Sequence, residues 1–299
     1  MNIMIGFSKK YFWTGTVAIK SLYESNKEID SINLYVVTDG WSKENHDFVE
    51  DIARFYSRKI DFIDISLIGN YVELRKIQSW FGSYISYSKC FCDKLFPKVD
   101  KIICLDADIF VNKSLIDLWN YDLKNKTIGA VPDGTIGYSF NAGVMVIDLI
   151  KWREKEYFSK LTNKMGLVET KMVEQDLFNI VFGDDVELLP FKYNFVPRYH
   201  LIGYKKFRKT FPNSEITESD FYHLSEDSVI FHYNFVGLNR PFFEYDRVVS
   251  FKWSTMYEMI YKRKIKLPKR KAKLAKIANF FKPLIPSRLY RYFKSIILK

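Results

Sequence analysis

Two aspartates, two positions apart, interrupt an otherwise apolar stretch. Asp106 and Asp108 follow the run Ile102 to Leu105, and Ile109 to Val111 resume it. A short apolar run of this kind predicts a strand buried on both faces. Strand residues two apart point to the same side, so the two carboxylates are predicted to face one spot. Ionised carboxylates beside a buried strand are costly unless something positive sits between them. A divalent cation fills that role, and a cation held by few carboxylates usually takes its other ligands from substrate phosphates. The pair therefore points to a metal–diphosphate site at the carboxyl end of a strand. Asp-x-Asp is also common in solvated loops, so the pair draws its meaning from its company.

Three further segments supply that company. In Phe140-Asn141-Ala142-Gly143-Val144-Met145 a polar turn precedes a predicted strand over 143–149. Asn141 offers a two-faced amide suited to sugar hydroxyls, and Gly143 lets backbone approach a ligand closely. Glu174-Gln175-Asp176 breaks into a helical apolar pattern carried by Met172, Leu177, Ile180 and Val181. His232 ends an apolar strand that begins at Ser228. As a third ligand beside two carboxylates, its imidazole shifts preference from magnesium toward manganese.

The elements that must position these residues alternate along the chain. Strands are predicted over 1–7, 32–37, 60–65, 101–105, 128–131 and 143–149. Between the first three lie helices over 14–24 and 43–56. Ser42 caps the second, and its face is Phe48, Val49, Ile52, Ala53 and Tyr56. A third helix is predicted over 83–96, with Tyr84, Tyr87, Phe91 and Leu95 in a stripe and Pro97 closing it. Alternating strands and helices imply an α/β fold with a mainly parallel sheet, whose ligands bind at the carboxyl ends of the strands. Asp106 and Asp108 fall where that rule places a site. The aromatic and basic stretch 191–227 reads as long loops over a pocket.

Composition sets limits. The 299 residues are 47% hydrophobic and 17% aromatic, which fits a folded globule. No apolar run approaches the ~18–20 residues that span a bilayer. The amino terminus lacks the pattern of a signal peptide and reads as a first strand. Cys90, Cys92 and Cys104 fit neither a disulfide frame nor a zinc pattern, so a reducing, cytoplasmic compartment is expected. The net charge of +11 is concentrated at one end. Residues 262–299 carry 14 Lys/Arg and no acidic residue, leaving 32 basic and 35 acidic groups in 1–261, a net of −3. That distribution argues against nucleic acid as the partner of the whole protein.

In order and company, Leu105-Asp106-Ala107-Asp108-Ile109, the Asn-Ala-Gly segment with the following Trp152-Arg153, Glu174-Gln175-Asp176, and His232-Tyr233 followed by Arg240-Pro241 resemble the family 8 glycosyltransferases. The resemblance covers roughly residues 1–245 and looks most like the bacterial lipooligosaccharide galactosyl- and glucosyltransferases. It implies a GT-A fold, Rossmann-like and typical of nucleotide-diphospho-sugar transferases. It also implies a UDP-sugar donor, a divalent metal (Mn²⁺, with Mg²⁺ as the alternative), and transfer with retention to a glycan or lipid-linked acceptor. Carried over residue by residue, Asp106, Asp108 and His232 match the metal ligands. Phe7, Ser8 and Tyr11 stand at the uracil. Lys89, Asp106 and Ala107 stand along the nucleotide-sugar. Asp133, Asn141, Ala142 and Glu174 surround the donor sugar, with Gln175 and Asp176 as the catalytic candidates. Arg240 resembles the basic residue that holds the diphosphate. Ser8 stands where the family often carries an acidic residue, and Phe242 where it has Trp.

The catalytic domain is expected over 1–250 and a basic helical tail over 251–299. In the tail, Leu274, Ile277, Ala278 and Phe281 recur at helical spacing opposite Lys269, Lys273 and Lys276, and Ser287 caps a second amphipathic segment. Two basic amphipathic helices in series read as an anchor to an anionic membrane surface, at the inner face of the cell membrane. Paired aspartates would also serve a metal-dependent nucleotidyltransferase or phosphohydrolase, or a non-catalytic sugar-binding protein that kept the fold.

Overall fold

The structure is a computed structural model that describes residues 1–71, 73, 77–79, 82–135, 137–168, 172–197, 199, 203–234 and 247–263. Its strands are β1 (Asn2–Ser8), β2 (Asn33–Asp39), β3 (Ile60–Asp64), β4 (Lys101–Leu105), β5 (Ile109–Val111), β6 (Ile128–Pro132), β7 (Phe140–Asp148), β8 (Val186–Leu188) and β9 (Ile230–His232). Its helices are α1 (Phe12–Glu24), α2 (Lys43–Phe55), α3 (Cys92–Leu95), α4 (Ile116–Trp119), α5 (Leu149–Glu154), α6 (Tyr157–Thr162), α7 (Glu174–Phe182), α8 (Tyr204–Thr210), α9 (Glu218–Asp227) and α10 (Arg247–Tyr261).

The main sheet runs β3-β2-β1-β4-β7-β6-β8. β3, β2, β1 and β4 are mutually parallel, β7 is antiparallel to both neighbours, and β8 runs parallel to β6. The sheet is therefore mainly parallel, as its alternating pattern predicts. Central strands feed two cores in strict alternation: Ile3, Ile5, Ile103 and Leu105 to one side, Met4, Ile102 and Cys104 to the other. Burial on both faces is why these strands are continuously apolar. Asn45 ties down the start of α2 by accepting from the Ser42 backbone at 3.1 Å, and Val49, Ile52 and Ala53 are its buried face.

Three expectations change. The stretch predicted as a helix over 83–96 is a 3₁₀ segment, Ile85–Phe91, followed by the single turn α3. Tyr87 to Phe91 are all buried, because the segment threads between the sheet and α6–α7 and has no solvent face to make it amphipathic. Asn141 lies inside β7, which starts at Phe140 and pairs with β6, so the polar turn precedes it. The boundary drawn at 250 falls within α10. That helix lays Trp253 edge-on against Trp13 (5.6 Å between rings), and Tyr261 meets Thr16 at 2.7 Å. Trp253, Tyr257 and Tyr261 recur every four residues, an aromatic stripe that seats α10 on α1. No helix among the described residues is long and apolar enough to cross a membrane.

Candidate functional site

β4 stops at Leu105, and the chain turns through Asp106-Ala107-Asp108 into β5. The two aspartates thus converge because a tight turn links two sheets, not because a strand alternates. Two pairings fix the turn. Asp106 N–H donates to the Gly143 carbonyl at 2.8 Å, continuing the β4–β7 ladder, and β5 pairs with β9 so that Ile109 faces His232. Tyr233 N–H then donates to the Asp108 carbonyl at 2.8 Å.

The outcome is a group of three possible ligands, Asp106, Asp108 and His232, whose ligand atoms lie within 4.8 Å of one another. His232 Nε2 is 3.5 Å from Asp106 Oδ2 and 3.3 Å from Asp108 Oδ1, and it is buried with no hydrogen-bond partner. A buried, unpartnered nitrogen aimed at two carboxylates fits a divalent cation with mixed nitrogen and oxygen ligands. Burial alone would lower the His232 pKa. The facing Asp108 and Asp106 carboxylates outweigh it and push the pKa up to about 9.

A chain of amides runs from this histidine to the Asn-Ala-Gly segment. Gly143 N–H can only donate, and it does so to Asn141 Oδ1 at 2.9 Å. Asn194 Nδ2 donates to the same oxygen at 2.8 Å, which leaves Asn194 Oδ1 facing His232 Nδ1 at 2.8 Å. The amide oxygen must accept, so Nδ1 carries the proton and Nε2 is the ligand nitrogen. Asn141 Nδ2 continues to Asp133 Oδ2 (3.0 Å) and Gln175 Oε1 (3.2 Å), and Gln175 Nε2 returns to Asp133 Oδ2 (3.1 Å). Gly143 is the floor beneath the imidazole: a Cβ there would stand 2.1 Å from His232 Cε1. The close approach that the glycine permits is thus to the candidate metal ligand itself.

Lys89 enters from the buried 3₁₀ segment. Its Nζ donates to Asp106 Oδ1 and, at 2.7 Å, to the Ala142 carbonyl. Burial opposes its charge, but Asp106 and Glu174 outweigh burial and raise its pKa. Glu174, the first residue of α7, is buried with Oε2 unpartnered. Desolvation first, with Asp106 adding and Lys89 opposing, pushes its carboxyl up to about 7. Val173, directly before it, has φ +43, costly for a β-branched residue, so the entry to α7 is strained where the polar triplet begins.

The remaining predicted residues divide. Asp133, Asn141, Ala142 and Gln175 are brought together with the histidine. Asp176 is engaged locally: Tyr138 Oη donates to one of its oxygens and Met172 N–H to the other at 2.7 Å. Phe7 is buried against Trp41 (4.8 Å) and Phe12 (6.3 Å), and its carbonyl accepts from Trp41 Nε1 at 3.0 Å, so its ring supports the wall from within. Ser8 and Tyr11 lie at the carboxyl end of β1 and in the 3₁₀ turn Lys9–Tyr11, beside the β4 terminus in sheet order. Arg240 and the tail beyond 263 lie outside the described residues. Sequence reading missed Asn194, which sits in the stretch read as loops. A lone amide between Tyr193 and Phe195, both buried, was the available signal.

A mainly parallel α/β sheet with an Asp-x-Asp turn at its β4 terminus defines the GT-A class. LgtC, solved as an active-site glutamine-to-glutamate mutant, shares that fold: TM-score 0.66, 21% identity, covering 90% of this chain and 98% of that one. Residues 2–241 match the model of glycosyl transferase family 8, and the chain belongs to that family. A Haemophilus influenzae relative is 28% identical over 214 residues, 66% of this chain and 64% of that protein, so the match spans slightly less than two thirds of its length. The lipopolysaccharide 1,2-glucosyltransferase of Escherichia coli is 25% identical over 274 residues, 83% of this chain and 75% of that one.

Proposed function

We propose that this chain is a retaining hexosyltransferase that moves galactose or glucose from a UDP-sugar to a glycan or glycolipid acceptor, with a divalent cation, Mn²⁺ first and Mg²⁺ second. One observation carries the reading: the unpartnered His232 Nε2 facing Asp106 and Asp108, tied through Asn194 to the amides that would meet the sugar. Asp106, Asp108 and His232 would hold the cation, and when bound it supplies Lewis-acid stabilisation of the diphosphate as its bond to the sugar breaks. Lys89, buried and cationic, adds fixed positive charge to the same region and needs no reorganisation as the leaving group gains charge. Asn141 and Gln175, whose amides both donate to Asp133, position its carboxylate, which would accept from a sugar hydroxyl.

Retention through a covalent intermediate needs a nucleophile on the far face of the sugar. Asp176 has both oxygens engaged by Tyr138 and Met172 N–H, and Gln175 is an amide whose oxygen already accepts from Asn141 and Ala142 N–H. Both facts favour front-face attack, in which the departing phosphate takes the acceptor's proton. The test is a panel of UDP-sugars with Mn²⁺, reading UDP release. Release from one UDP-hexose that is lost in Asp106→Asn supports the reading; no release from any UDP-sugar overturns it. The basic segment 264–299 completes the proposal as an anchor to anionic membrane. Truncation after Arg263 is expected to abolish sedimentation with anionic vesicles, and unchanged sedimentation would refute the anchor.

A further inference from the structure

A groove of about 690 Å³ opens beside the amide cluster, and Asp133 lies on its rim. From there it follows the edge strand β8 and passes under the elbow between α8 and α9. Its apolar lining at the surface is Tyr121, Leu188, Pro190 and Pro212; Phe191 and Phe211 also line it but are buried in the core. Around them stand four carboxylates (Asp133, Glu187, Glu215, Asp220) and two lysines, Lys124 and Lys192. Lys124 is already paired with Glu187 at 2.8 Å. The groove is therefore acidic on balance, offers the half-buried Tyr121 ring with Leu188, Pro190 and Pro212 as apolar surface for sugar rings, and is continuous with the residue that receives Asn141 and Gln175.

We infer that this groove binds the distal part of a neutral oligosaccharide acceptor, several sugar units long, whose reacting end lies at Asp133. The acceptor role rests on the transferase reading; glycan binding in the groove does not. Its volume is in the range of sites that enclose sizeable ligands. The carboxylates disfavour sialylated or phosphorylated glycans by like-charge repulsion. A peptide added to the sheet edge fits less well, because β8 is only three residues long and its central Glu187 is engaged with Lys124.

The test applies the full chain to an immobilised array of neutral oligosaccharides, single hexoses, sialylated and phosphorylated glycans, and peptides. Leu188→Arg, which fills the groove, and Leu188→Ala, which removes its apolar wall, are compared with the parent. Leu188 is 52% exposed, so neither change removes core packing, and thermal unfolding verifies this. Neutral oligosaccharides are expected to bind above single hexoses and to weaken about tenfold or more in Leu188→Arg, equivalent to at least about 1.4 kcal/mol, with a smaller loss in Leu188→Ala. Equal binding by parent and Leu188→Arg, or preference for anionic glycans or peptides, would overturn the inference. A UDP titration of the parent separates the two readings. If UDP fails to bind while the Leu188 effect persists, the groove stands as a glycan site and the transferase reading falls.

Discussion

Replacing Asn194 tests whether the candidate metal centre and the amide cluster are one device. Its side chain is 1% exposed and makes two 2.8 Å bonds, accepting from His232 Nδ1 and donating to Asn141 Oδ1. Asn194→Ala strands the Nδ1 donor, and a buried unsatisfied group costs about 1–3 kcal/mol. Asn141 Oδ1 keeps its bond from Gly143 N–H, so its share of the loss is small. The sum expected from denaturant unfolding is about 1–3 kcal/mol. The imidazole also loses the partner that fixes its tautomer, and such outer partners typically hold ~10–100-fold of metal affinity. Asn194→Asp separates the two bonds, since a carboxylate still accepts from Nδ1 but repels Asn141 Oδ1. Mn²⁺ affinity, read as free Mn²⁺ by electron paramagnetic resonance, should fall in Asn194→Ala and persist in Asn194→Asp. The KM for the UDP-sugar should rise in both. Wild-type Mn²⁺ affinity in Asn194→Ala would refute the reasoning.

Other substitutions probe separate links. In Gly143→Ala the new methyl meets His232 Cε1, so Mn²⁺ binding should be lost and unfolding made easier by the ~1–3 kcal/mol of an overpacked site, whereas unchanged Mn²⁺ titration would contradict the contact. Asp185 accepts from Thr127 Oγ1 (2.6 Å), Tyr157 Oη (2.6 Å) and Lys155 Nζ (2.8 Å), joining α5–α6 to the start of β6. Burial opposes its charge, but these donors hold its pKa down at about 2, from an ordinary 3.8. A depressed carboxylate stabilises the fold above its unfolded pKa, and that contribution is lost as pH falls through about 4 towards 2. The site is partly open to solvent, so the contribution is about 1 kcal/mol, and Asp185→Asn should unfold with a shallower acid dependence between those pH values.

Local pattern was enough for the frame. Apolar runs buried on both faces, spaced by helices, define a mainly parallel sheet because each strand must shed water on two sides at once. The ligand types were legible for a similar reason: two aspartates, a strand-ending histidine and an asparagine two positions before a glycine are costly within apolar sequence unless they are used. Partnership was decided only in three dimensions. The β4–β5 turn and the β5–β9 pairing bring His232 to aspartates more than 120 residues earlier in the chain. Burial turned a predicted surface helix into the 3₁₀ segment that delivers Lys89. Hydrogen-bond geometry engaged Asp176 elsewhere and admitted Asn194, an amide whose sequence neighbours say nothing of the imidazole it holds. Residue type and spacing fix which groups can do the chemistry. Non-local strand pairing fixes which of them meet, because those contacts depend on the closing of the sheet and not on any local propensity.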